Sequence, residues 1–158
     1  MFKTLWFSGA ADVRAAIPRE RWTLLDPGFD RIAAAGEAVA RSDYTRSVSA
    51  RGEIGLAMAR FHCEFDILLT PTLPLAAFEA GRLAPPGTQQ TEWAEWTPFS
   101  FPFNLTQQPA ASIPCGFTNS GLPIGLQIVG APFAESTVLA LAHAYEQATD
   151  WHRRSPSL

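Results

Sequence analysis

The chain has 158 residues, 47% hydrophobic and 17% charged, with a formal net charge of -3, which is enough apolar chain to bury a core in one domain over 1–158. Its 12 Lys and Arg, outnumbered by 15 Asp and Glu, exclude the concentrated basic surface of a nucleic-acid binder. No run reaches the roughly 18 to 20 apolar residues of a membrane helix.

The start, MFKTLWFSGAADVR, has an apolar patch shorter than the roughly 7 residues of a secretory core, with Arg14 close behind, and does not read as a leader. From Thr4 to Ala16 the pattern is weakly helical and stops at Ile17-Pro18. Asp26 as N-cap and Pro27 at the first position open a second helix, in which Phe29, Ile32, Gly36 and Val39 recur at helical spacing. Ser42 caps a third, running to about Cys63. Tyr44, Val48, Ile54, Met58, Phe61 and Phe65 form its inward stripe, opposite Arg46, Arg51, Glu53, Arg60 and Glu64.

Asp66 closes that helix, and Ile67-Leu68-Leu69 before Thr70-Pro71 reads as a strand buried on both faces, so helix feeding strand suggests an α/β fold. Residues 71–98, with prolines at 71, 74, 85, 86 and 98, have no sustained periodicity and read as a long surface excursion. Trp93 and Trp96, three apart, begin a helical turn with one aromatic face. Ala110 to Pro114 and Pro123 to Gly130 are a strand pair joined by a reversal at Gly116 to Gly121. Ile124, Leu126 and Ile128 share one face, and Gly125, Gln127 and Val129 the other. Pro114 and Pro123, without a donor N–H, belong at strand ends or edges. Glu135 to Thr149 is the clearest helix, its stripe Val138, Leu141, Ala142, Tyr145 and Ala148. His152, Arg153 and Arg154 favour its carbonyl pole, and Pro156 prevents continuation.

The ordered run Asn104-Leu105-Thr106, Pro109-Ala110, Ile113-Pro114-Cys115-Gly116 and Gly121-Leu122-Pro123-Ile124-Gly125-Leu126-Gln127-Ile128 resembles the C-terminal part of the amidase signature family. The likeness extends upstream to FDILLTPTLP and downstream through Pro132-Phe133, Glu135 and Trp151-His152. One departure is Gln107, which stands near a position where the family usually has glycine. The resemblance implies an α/β/α layered fold with a mixed sheet, helices in the N-terminal half and at the C-terminus. It also implies amide hydrolysis by a serine nucleophile, a second serine on a cis peptide and a lysine base, all carried by the N-terminal two thirds. Here Lys3 is the only lysine and no glycine-and-serine-rich run occurs. The expectation is a C-terminal amidase portion with no catalytic residues, whether of an amidohydrolase or of an amidotransferase. The other reading is a noncatalytic binding or oligomerisation module that uses the aromatic excursion Phe78 to Phe103. By position in the family, Thr97, Pro98 and Phe99 are acyl-side pocket wall. From their composition alone, Trp96, Phe99, Phe101 and Phe103 suit pocket or core equally.

Other chemistry finds little support. Cys115 lacks an activating base fixed nearby by sequence, although His143 and His152 are in the chain. Adjacent His62 and Cys63 diverge by about 100° on a helix, and no metal-ligand spacing occurs. Glu92 and Glu95, three apart, read as a solvated acidic turn. The glycines at 116, 121, 125 and 130 precede no lysine and open no helix, so they are not a phosphate loop. No cofactor, metal, nucleic acid or membrane is expected. With only Cys63 and Cys115, too few for a disulfide framework, the setting is reduced and cytoplasmic. Strand edges left open in a partial sheet predict self-association.

Overall fold

The computed structural model describes residues 1–90 and 92–154, and of Trp93 only the backbone. The aromatic face expected of Trp93 and the helix-stopping role of Pro156 lie outside what is described. Among these residues, five α-helices and three strands follow in the order α1 (Phe2–Ala15), α2 (Pro27–Glu37), α3 (Arg41–Phe61), β1 (Ile67–Pro71), α4 (Phe101–Thr106), β2 (Ala110–Phe117), β3 (Pro123–Gly130) and α5 (Glu135–Ala148). Short 3-10 turns cover Arg19–Leu24, Trp93–Glu95 and Trp151–Arg153. Contacts gather into two units, Met1–Leu56 and Ala57–Leu158, divided within α3. No helix among the described residues is long and apolar enough to cross a membrane.

In the first unit α1 and α2 pack together. Asp26 caps α2 as expected, its carboxylate accepting from the Phe29 N–H at 2.9 Å, with Pro27 in the first turn. Gly36 lets the helices close: a Cβ there would stand 1.9 Å from the Phe7 carbonyl oxygen. The Arg14 guanidinium lies 3.9 Å over the Trp22 ring and 3.3 Å from Glu37. Its Nε is 2.9 Å from Asp30 Oδ1, an ion pair too bent to be a hydrogen bond. The expected inward stripe of α3 is only partly inward. Ser47 is buried, whereas Tyr44, Val48 and, just past the helix, Phe65 are exposed. Apolar spacing identifies a face, but only a neighbouring element covers it.

The second unit is built on one sheet, ordered β1-β3-β2. Both seams are antiparallel, Leu69 opposite Ile128 and Ala111 opposite Ile128, so these three strands pair without the parallel neighbour a mixed sheet has. The hairpin explains one seam, and the long connection over residues 72–109 brings the chain back to the far side of β3 for the other. β2 runs past Pro114 to Phe117 with a bulge between Pro114 and Gly116, which accommodates the missing N–H. β1 is an edge strand, not one buried on both faces, and Leu69 is 52% exposed. The central strand holds the core: Ile128 and Val129 are 0% exposed. Ile113, Ile128 and Val138 form a cluster with Ile67, Ala111, Leu126, Leu141, Ala142 and Tyr145 around it. The α5 stripe thus packs as read from its spacing, except Ala148, which is exposed.

Candidate functional site

A cleft of about 810 Å³ lies between the start of the excursion and the turn end of the hairpin. Its walls are mostly apolar, including Leu73, Phe78, Trp96 and Ile124. Phe78 and Trp96 meet edge to face at 5.1 Å, and the Trp96 indole N–H donates to the Leu83 carbonyl at 2.9 Å, which ties the excursion to itself. The polar part of the wall includes the Glu79–Arg82 ion pair, 2.7 Å apart, Thr118, and a hydroxyl pair, Thr72 Oγ1 and Ser112 Oγ, 2.6 Å apart. The Thr72 and Ser112 side chains reach across Gly125, where a Cβ would fall 2.7 and 2.8 Å from the two oxygens. The glycine at that point of the Leu-Pro-Ile-Gly-Leu-Gln run is therefore a steric requirement.

Thr97, Pro98 and Phe99 follow Trp96 but do not line this cleft. They lie between the 3-10 turn and α4, with Thr97 and Phe99 half-buried and Pro98 exposed. The buried Gln127 donates from Nε2 to the Phe99 carbonyl and to Thr70 Oγ1, both at 2.8 Å. One amide thus holds the segment to the central strand and to β1. Of the aromatics that composition left divided between pocket and core, Phe103 is core at 8% exposure, Trp96 lines the cleft, and Phe99 and Phe101 are half-buried.

A second buried amide, Gln108, donates to the Gly130 carbonyl and meets His62 Nε2, each at 2.8 Å, while its Oε1 accepts from Thr106 Oγ1 at 2.7 Å. His62 Nδ1 is 2.9 Å from the Phe65 carbonyl, which only accepts. The neutral ring that satisfies both contacts carries its proton on Nδ1 and accepts at Nε2. In the sequence His62 stands out only as a neighbour of Cys63 that cannot share a metal ion with it. Its partner is 46 residues away, and no local spacing announces such a pair. Gln127 had a visible signal, a polar residue beside Ile128 on a strand whose two faces are both covered.

The Cys115 thiol contacts the Ile124 carbonyl at 3.5 Å, and both His143 and His152 are exposed. The Glu95 carboxylate accepts from the Glu92 backbone N–H at 3.3 Å, so one member of that acidic pair serves the turn itself. Among the described residues no group of three His, Cys, Asp or Glu is placed to hold a metal ion.

The family model described as Amidase matches residues 2–139. The chain is similar to the A subunit of glutamyl-tRNA(Gln) amidotransferase from Microcystis aeruginosa, 47% identical over 93 residues, 58% of this chain and 18% of the relative. The same protein of Synechococcus sp. strain JA-3-3Ab is 43% identical over 115 residues, 73% of this chain and 22% of the relative. A solved amidase superposes with a TM-score of 0.76 at 27% identity, over 92% of this chain and 34% of its own. The chain spans about a fifth of the length of these curated relatives. With residues 2–139 under the family model and 92% of the chain superposing on a solved amidase, the chain belongs to the amidase signature family.

Proposed function

We propose that the chain acts as the C-terminal portion of an enzyme that cleaves carbon–nitrogen amide bonds, contributing core strands and part of the substrate pocket but no catalytic group. The observation that carries this reading is a disproportion: 92% of the chain superposes on a solved amidase of which it makes up 34%. Thr97, Pro98 and Phe99 are the proposed acyl-side wall, and the Gln127 bonds to Thr70 and to the Phe99 carbonyl support that role by giving the segment a rigid anchor. The setting is cytoplasmic. The purified chain is expected to release no ammonia above background from a panel of aliphatic and aromatic amides, since one lysine at position 3 and no serine-rich run leave no activated nucleophile. Turnover that survives Cys115→Ala overturns the reading, and turnover abolished by it transfers the chemistry to that thiol.

A second reading, a noncatalytic binding module, draws on the cleft lined by Phe78 and Trp96, a size and composition suited to an apolar small molecule. A soluble binding module folds and holds ligand without any other polypeptide. An amidase portion requires one.

A further inference from the structure

The two edges of the sheet are not equivalent. On β2, Ala111 and Ile113 face β3, so the outer edge consists of Ala110, Ser112 and Pro114, and Pro114 offers no N–H where the strand then bulges. Proline and bulge are the usual means of closing an edge to further pairing. On the β1 side the Thr72 N–H donates to the Gly125 carbonyl at 3.0 Å. By alternation Leu68 and Thr70 also turn toward β3, and Ile67, Leu69 and Pro71 turn their backbone groups outward. The outward groups of Ile67 and Leu69 have no partner among the described residues. The covering helix is offset to the same effect: α5 packs on β3 and β2, and the Leu69 side chain, on the face α5 covers elsewhere, is 52% exposed.

The geometry points to β1 as a seam, an edge that accepts a β-strand from amidase-fold sequence outside these 158 residues, together with an apolar residue of the incoming layer over Leu69. This rests on the reading of the chain as a portion of an amidase. A second copy of the chain is the poorer occupant. β1 has only five residues, Pro71 withholds a donor from any two-fold β1–β1 pairing, and so short a strip buries far less than the roughly 1,200 Å² of a stable interface. A solved amidase, by contrast, carries about two thirds of its chain beyond the region this one covers.

The test is co-expression of the whole chain with the Microcystis aeruginosa amidotransferase relative from which the segment matching this chain has been deleted. The two are expected to co-purify, with amide hydrogen exchange at Ile67 and Leu69 slowed by on the order of a hundredfold. Leu69→Asp is expected to abolish recovery, and Ala110→Asp on the opposite edge to leave it intact, with the melting curve of each variant alone confirming that it folds. A complex in which Ile67 and Leu69 still exchange freely overturns the seam, as does failure of the folded chain to form a complex at all. Protection that develops only when the chain is concentrated by itself assigns the edge to a second copy and overturns the proposal in that direction. Ammonia release by the isolated chain overturns the amidase-portion reading itself, a result independent of any exchange rate.

Discussion

At the scale of single residues, two backbone positions show where this sequence is tight and where it is strained. Gly36 sits where a methyl group would meet the Phe7 carbonyl oxygen at 1.9 Å and its carbon at 2.4 Å, backbone atoms that cannot rotate aside. Gly36→Ala is therefore expected to lower stability by about 1–3 kcal/mol or more through overpacking. Gly55→Ala is the control: nothing lies within 4 Å of that Cβ in the interior of α3, and the same change is expected to gain about 1 kcal/mol from helix propensity. Urea denaturation of both variants reads the opposite signs, and two losses of equal size would refute the close-approach argument. Gln107 is the strained position. It ends α4 in the left-handed region at φ 58° and ψ 36°, and a side chain there costs roughly 1–2 kcal/mol. Gln107→Gly removes that strain and gives back about 0.5–1 kcal/mol in unfolded-state entropy. A net gain of about 0.5–1 kcal/mol should raise the melting temperature by a few degrees, at roughly 2–4 °C per kcal/mol for a chain of this size. The family's usual glycine near this position, noted from the sequence alone, has in this conformation its physical reason.

Elements whose determinants are local were legible in the sequence. The Asp26-Pro27 start of α2, the 3.6-residue stripe of α5 and the period-2 alternation of β3 each depend on neighbours within a few positions, and each lies where its pattern put it. What failed depended on distant chain. β1 has the uniform apolarity of a buried strand but sits at an edge, and α3 leaves Tyr44 and Val48 exposed, because in each case burial is decided by an element the pattern cannot name. The six-residue α4, with Pro102 in its first turn and no side-chain cap, is too short to show a period. Of the candidate site, the segment Thr97 to Phe99 came from the family resemblance; its anchoring by Gln127 came only with the structure. That anchor is testable. Gln127→Leu preserves bulk but leaves the part-buried Phe99 carbonyl and Thr70 hydroxyl without this donor, and is expected to destabilise by about 1–3 kcal/mol. Faster proteolysis within residues 92–101 relative to the β2–β3 hairpin is the accompanying sign that the segment has lost its tether.

For the molecule as a whole, the question is whether 158 residues close their own surface. The central strand is finished on both sides, with Ile128 and Val129 fully buried. The periphery is not finished in the same way. Besides the β1 edge with Leu69, Phe133 is 94% exposed and holds φ at 65°, an unfavourable backbone for a bulky residue that gains nothing from burial within this chain. A chain with one open strand edge and an uncovered leucine beside it should associate with itself when nothing else is offered, weakly because the edge is short. Sedimentation equilibrium over a wide concentration range is expected to show a reversible monomer–dimer equilibrium. Leu69→Asp should shift it toward monomer, because burying a carboxylate at the seam is unfavourable, while Ala110→Asp at the already closed β2 edge should not. The polypeptide that pairs with β1 should also dissolve this dimer, since both use one set of backbone groups. A cooperatively melting species that stays monomeric at the highest concentration would refute this dimer and show that a five-residue edge ending in Pro71 is too short to hold a second copy.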